Sequence, residues 1–70
     1  MAQFQTERMT PTLTRVRCGG RLFGQIKRQG REWHAEIRRT DDGALVRHAG
    51  IWGRKADAID EVEFILQRES

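Results

Sequence analysis

The 70-residue chain has one cysteine, one proline, no tyrosine and no long apolar run. The single cysteine, Cys18, excludes an internal disulfide framework and fits a reducing compartment. Spanning a bilayer takes roughly 18 or more consecutive apolar residues, and none are present, so no membrane partner is expected. The opening MAQFQTERMTPT lacks an apolar core segment, so no secretory signal is expected and a cytoplasmic location is the reading. Hydrophobic residues make up 37% of the chain and charged residues 33%, with a mean hydropathy of −0.73. That is polar for a folded domain but richer in apolar residues than a typical disordered chain. A chain this short buries only about 60% of its unfolded surface, which leaves little room for a catalytic cleft.

Charge is plentiful and unevenly placed. The net charge is +3. Residues 15–55 carry eleven Arg and Lys against four carboxylates, whereas residues 56–70 carry five carboxylates against Arg68. Eleven of the thirteen cations are arginine, whose planar fork suits phosphate and guanine better than the point charge of lysine. An anionic partner is the functional reading of this balance, and solubility is the plain one.

Residues 1–14 contain Pro11 and lack periodicity, so they read as a disordered or loosely packed tail ahead of a single domain over residues 15–70. From Arg21 to Arg39 the pattern is that of a β-hairpin turning at Gln29-Gly30. This register sets Ile26 opposite Trp33 and Leu22 opposite Ile37 on an apolar face. Gln25 opposes His34 and Lys27 opposes Glu32 on a polar one. A second turn over Thr40-Asp41-Asp42-Gly43 returns a third strand, with Val46 opposite Ile37 and Arg47 opposite Glu36. Ala58, Ile59, Val62, Ile65 and Leu66 then recur at helical spacing between Arg54 and Arg68. The expected fold is α+β, a three-stranded antiparallel meander covered by one C-terminal helix in the order β-β-β-α. Its expected core is Leu22, Ile26, Trp33, Ala35, Ile37, Val46, Ile59, Val62, Ile65 and Leu66, with Trp52 at the edge.

No constellation for catalysis or metal binding emerges. Cys18, His34 and His48 lack the short spacing of a zinc site, and the expected pairing sends the two histidines to opposite faces. Asp41-Asp42 is explained by turn chemistry, and Gly19, Gly20 and Gly24 precede a strand rather than join a strand to a helix. No enzyme activity, cofactor or metal is expected.

The polar sheet face is the informative surface. It is expected to carry Gln25, Lys27, His34, Arg38 and Arg47, with Arg28, Arg31, Arg54 and Lys55 near its rims, and such a face can enter a major groove or lie across phosphates. The run GRLFGQIKRQGREWHAEI, the strand GALVRHAG and the helix opening WGRKADAI resemble the arm-type DNA-binding domains of tyrosine recombinases. That resemblance implies a DNA-reading sheet, followed by an aromatic at Trp52, a basic step at Arg54-Lys55 and an early helical Ala58. The same region is similar to the C-terminal part of double-stranded-RNA-binding domains, matched at Gly50, Gly53 and Lys55. Ala56 and Ile59 stand where that family has lysines, so duplex DNA is the favoured partner over RNA. The expected function is a small nucleic-acid-binding accessory protein. The alternative is a protein-interaction module using the acidic helix and Phe64, which falls on the face away from the apolar stripe.

Overall fold

The computed structural model describes residues 3–69. Five strands precede the helix: β1 (Gln5–Thr10), β2 (Leu13–Arg17), β3 (Leu22–Gln29), β4 (Glu32–Arg39), β5 (Leu45–Trp52) and α1 (Lys55–Glu69). All five form one antiparallel sheet in sequence order. The fold is therefore α+β, but the expected three-stranded meander is corrected to five strands.

The two additional strands come from the segment read as a tail and from the start of the domain. Pro11-Thr12 joins β1 to β2, proline supplying the fixed φ that favours the first corner of a turn. Thr12 N–H donates to Thr10 Oγ1 at 3.2 Å, and Arg28 N–H donates to Thr12 O at 2.8 Å. In β2 the short run Leu-Thr-Arg-Val-Arg alternates, and only Thr14 and Val16 turn inward, at 1% and 0% exposure. Two inward residues make too short a pattern to be recognised without the neighbouring strand. Every residue of β1 is exposed.

The β3–β4 hairpin turns at Gly30-Arg31 instead of Gln29-Gly30, with Gln29 opposite Glu32, Arg28 opposite Trp33, Ile26 opposite Ala35 and Gly24 opposite Ile37. Gly30 has φ +63°, the positive value that a type II′ turn requires at its first central position. The expected register is thus displaced by two residues. Because side chains alternate with period two, the displacement leaves each on its expected face.

The loop from β4 to β5 has the four expected residues, closed by Arg39 N–H to Ala44 O at 3.0 Å and Gly43 N–H to Arg39 O at 2.9 Å. Beyond it the ladder slips twice, between Arg38 and Ile37 and between Glu36 and His34. Arg38 pairs with Leu45 but Ile37 pairs with Arg47, so Val46 is the extra residue of a bulge. Val46 is 46% exposed and leaves the expected core, and Arg47 moves to the helix side of the sheet. The expected Glu36–Arg47 pair gives way to Glu36 opposite His48.

The helix lies over β3, β4 and β5 and reaches β2, burying Ala58, Val62, Ile65 and Leu66. These meet Val16, Ile26, Ala35, Ile37 and Ala49, while Phe4, Cys18, Leu22, Trp33, Trp52 and Ile59 pack around them partly exposed. A Cβ on Gly24 would overlap Val62 Cγ1, so this glycine is the seat of the helix on the sheet. Among the described residues no helix is long and apolar enough to cross a membrane.

Candidate nucleic-acid interface

One side of the sheet is covered by α1 and the other is open. The pairings set Arg15, Gln25, Glu36 and His48 in one transverse row of the open face. Arg17, Phe23, Arg38 and Leu45 form a second, and Leu13, Lys27, His34 and Ile51 a third. Phe23 is only 9% exposed although it lies outside the helix-covered core. The Arg15 guanidinium sits 5.0 Å from its ring centroid, a cation–π contact, and Arg15 Nε is buried without a hydrogen-bond partner.

Gln25, Lys27, His34 and Arg38 share this open face as expected. Lys27 is directly opposite His34. Gln25 and Arg38 are engaged with Glu36: Gln25 Nε2 donates to Glu36 Oε1 at 3.4 Å and Arg38 Nη2 to the same oxygen at 3.2 Å. Arg38 Nη1 also donates to Gly43 O at 2.8 Å. His34 and His48, expected on opposite faces, both belong to the open one, because the bulges reset the alternation of β5. His34 Nε2 lies 3.7 Å from Glu32 Oε1. Arg47 is not part of this face; it meets Glu69 at 3.3 Å beside the helix C-terminus. Among the described residues no group of three or more metal-ligating side chains comes together.

The two ends of the sheet differ in charge. At one end lie the β1–β2 turn, the β3–β4 turn and the β5–α1 corner, as the pairs Leu13–Lys27, Gln29–Glu32 and Trp33–Trp52 require. Lys27, Arg28, Arg31, Arg54 and Lys55 collect there. None of the ion pairs among the described residues includes any of them. Arg28 Nε donates to Gly30 O at 3.0 Å. The Arg28 guanidinium and Lys55 Nζ lie 6.0 and 5.5 Å from the Trp33 ring centroid, so the indole holds both cations in place. The helix begins at the same end, adding the positive pole of its macrodipole, and Asp57 in the first turn offsets part of it.

At the opposite end Arg39 and Arg47 are paired, while Arg17 and Arg21 are in none of the ion pairs among the described residues. Arg39 Nη2 meets Asp42 Oδ2 at 2.7 Å and Arg47 meets Glu69. The hydrogen bond from Ala44 N–H to Asp42, together with Arg39 beside it, holds the Asp42 carboxyl below its ordinary pKa. A cleft of about 500 Å³ at this end is lined by Arg21, Leu22, Arg39, Thr40, Asp41 and Glu69. Carboxylates interleaved with its cations leave it without a charge preference.

The expected seven residues therefore divide between the middle of the open face (Gln25, Arg38), the basic end (Lys27, His34, Arg54, Lys55) and the far side of the sheet (Arg47). Sequence reasoning put Arg28 and Arg31 at the rim and did not bring Arg15 or Arg17 to the sheet at all. The spacing of Lys27, Arg28 and Arg31 across a glycine turn was the available signal for the first two. For the β2 arginines no signal exists without the strand pairing. Comparison of this chain with protein-family models, curated proteins and solved structures gave no match.

Proposed function

We propose that the protein binds nucleic acid, with duplex DNA as the partner, through the basic end of its sheet. The observation that carries this reading is the gathering of Lys27, Arg28, Arg31, Arg54 and Lys55 at one end, none of them in an ion pair among the described residues, while Arg38, Arg39 and Arg47 elsewhere are paired. Paired cations are already neutralised locally; unpaired ones can displace counterions from a phosphate backbone. Lys27 and His34 extend the end onto the open face, where Arg15 and Arg17 continue the positive surface along β2. A free thiol at Cys18 suits a reducing, cytoplasmic setting for such a protein.

The test is a fluorescence-anisotropy titration of labelled duplex DNA at several salt concentrations. Binding should weaken with salt, and Arg31→Ala and Arg54→Ala should each lower the log–log salt slope by about one. Absence of binding at about 50 mM salt would overturn the reading.

A second reading, docking of a protein partner, is favoured by one feature. Phe64 is 48% exposed and lines a shallow groove with Trp52, Asp57, Asp60 and Glu61. Loss of a partner or of self-association on Phe64→Ala, with DNA binding unchanged, would support it.

A further inference from the structure

Most aromatic rings and the central side-chain donors of the open face are committed internally in this fold, whereas Lys27, Arg31 and Arg54 of the basic end are not. Single-strand binders stack bases on open aromatic faces. Trp33 is partly buried and has two cations over its ring. Trp52 is partly buried and folds back so that Nε1–H donates to Ala49 O at 3.1 Å. Phe23 is nearly buried beneath Arg15, and Phe4 packs against the core. Phe64 alone is widely exposed, but it shares its groove with Asp57, Asp60 and Glu61, which repel phosphate.

The same holds for groups that read base edges. Gln25 and Arg38, placed where a sheet would face a groove, give their donors to Glu36 and Gly43 O. Sequence-reading contacts need such planar donors free and aligned with a base. At the basic end Lys27, Arg31 and Arg54 remain unengaged, exposed side chains at turns and strand ends, placed to meet phosphate oxygens, which carry no sequence information.

Resting on the nucleic-acid reading above, we infer that the partner is double-stranded DNA held by its phosphates alone, without sequence preference and without base stacking. The molecule is 31 Å in its longest dimension, close to one turn of B-form duplex at about 34–36 Å, so a probe of about two turns accommodates it.

The experiment titrates the full chain with labelled A·T-rich and G·C-rich duplexes of that length and with single strands of equal length, following anisotropy and tryptophan emission. The duplex affinities should agree within about threefold, and single strands should bind about tenfold more weakly. Tryptophan emission should show no stacking quench, and Gln25→Ala should leave duplex affinity unchanged. Tighter binding of single strands with quenched emission, or an affinity difference above about tenfold between the duplexes, would overturn the inference while leaving nucleic-acid binding in place. Failure of every probe to bind would defeat the underlying reading and this inference with it.

Discussion

Gly24 in the centre of β3 and Val62 in the middle of α1 are in such close approach that no β-carbon fits between them. Gly24 pairs with Val16 on one side and Ile37 on the other, so the contact fixes the height of the helix above three strands at once. Gly24→Ala should destabilise the protein by about 1–3 kcal/mol, the usual cost of overpacking a dense core. Combining it with Val62→Ala should cost less than the sum of the two single changes, because the shortened side chain admits the new methyl. Denaturant midpoints for the four proteins of the cycle give the coupling directly, and strict additivity would separate the two residues.

Val16 tests whether β2 is integral to the core. It is fully buried, whereas its neighbour Arg17 faces the other way and is exposed. Val16→Ala removes two buried methyl groups and should cost roughly 2 kcal/mol. Arg17→Ala should stay within about 0.5 kcal/mol. Equal urea midpoints for the two variants would show that β2 does not dock.

The β5 bulge makes opposite demands on adjacent residues. Val46, extruded by the slip, should accept Thr with a change within about 0.5 kcal/mol; the same change at a buried valine would place a hydroxyl in the core. Arg47→Ala breaks only the part-exposed pair with Glu69 and should cost about 0–1 kcal/mol, less at high salt. Duplex binding should be unaffected by Arg47→Ala, since this side chain lies at the far end of the sheet and is already paired with Glu69. A large loss for Val46→Thr in thermal denaturation would return Val46 to the core and remove the bulge.

Asp42 in the β4–β5 loop should titrate below its ordinary value of 3.8, because the carboxylate accepts the Ala44 N–H more strongly than the protonated acid does and attracts Arg39. With the folded value depressed, the carboxylate's contribution is present at neutral pH and is lost as pH falls through the lowered folded pKa. The Ala44 amide resonance should move with that midpoint in an NMR titration. Asp42→Asn should abolish the movement, and a midpoint at or above 3.8 would contradict the contact.

Local pattern alone determined the helix, its buried stripe, the β3–β4 pairing partners' faces and the length of the β4–β5 loop. Each is set by interactions within a few residues: Ala58, Val62, Ile65 and Leu66 recur at the helical period, and Thr40 to Gly43 are strong turn formers. Even the misplaced turn at Gly30 did little harm, because a displacement of two preserves the faces of Gln25, Lys27, Trp33 and Ile37. Tertiary structure decided the rest. β1 and β2 bury almost nothing on their own, and β2 becomes a strand because β3 offers an edge for its backbone groups and α1 covers Val16. The bulges that sent Arg47 to the helix side and His48 to the open face exist only in the assembled β4–β5 ladder, whose far end sets Trp52 opposite Trp33. Gly50, at φ +103°, lies close enough to the Trp52 indole that a β-carbon there would crowd it. The basic end follows from the same long-range pairing, since only the assembled sheet brings Lys27, Arg31 and Arg54 to one edge. Charge composition is local to the chain, but the field a partner meets depends on which cations the fold leaves without a carboxylate.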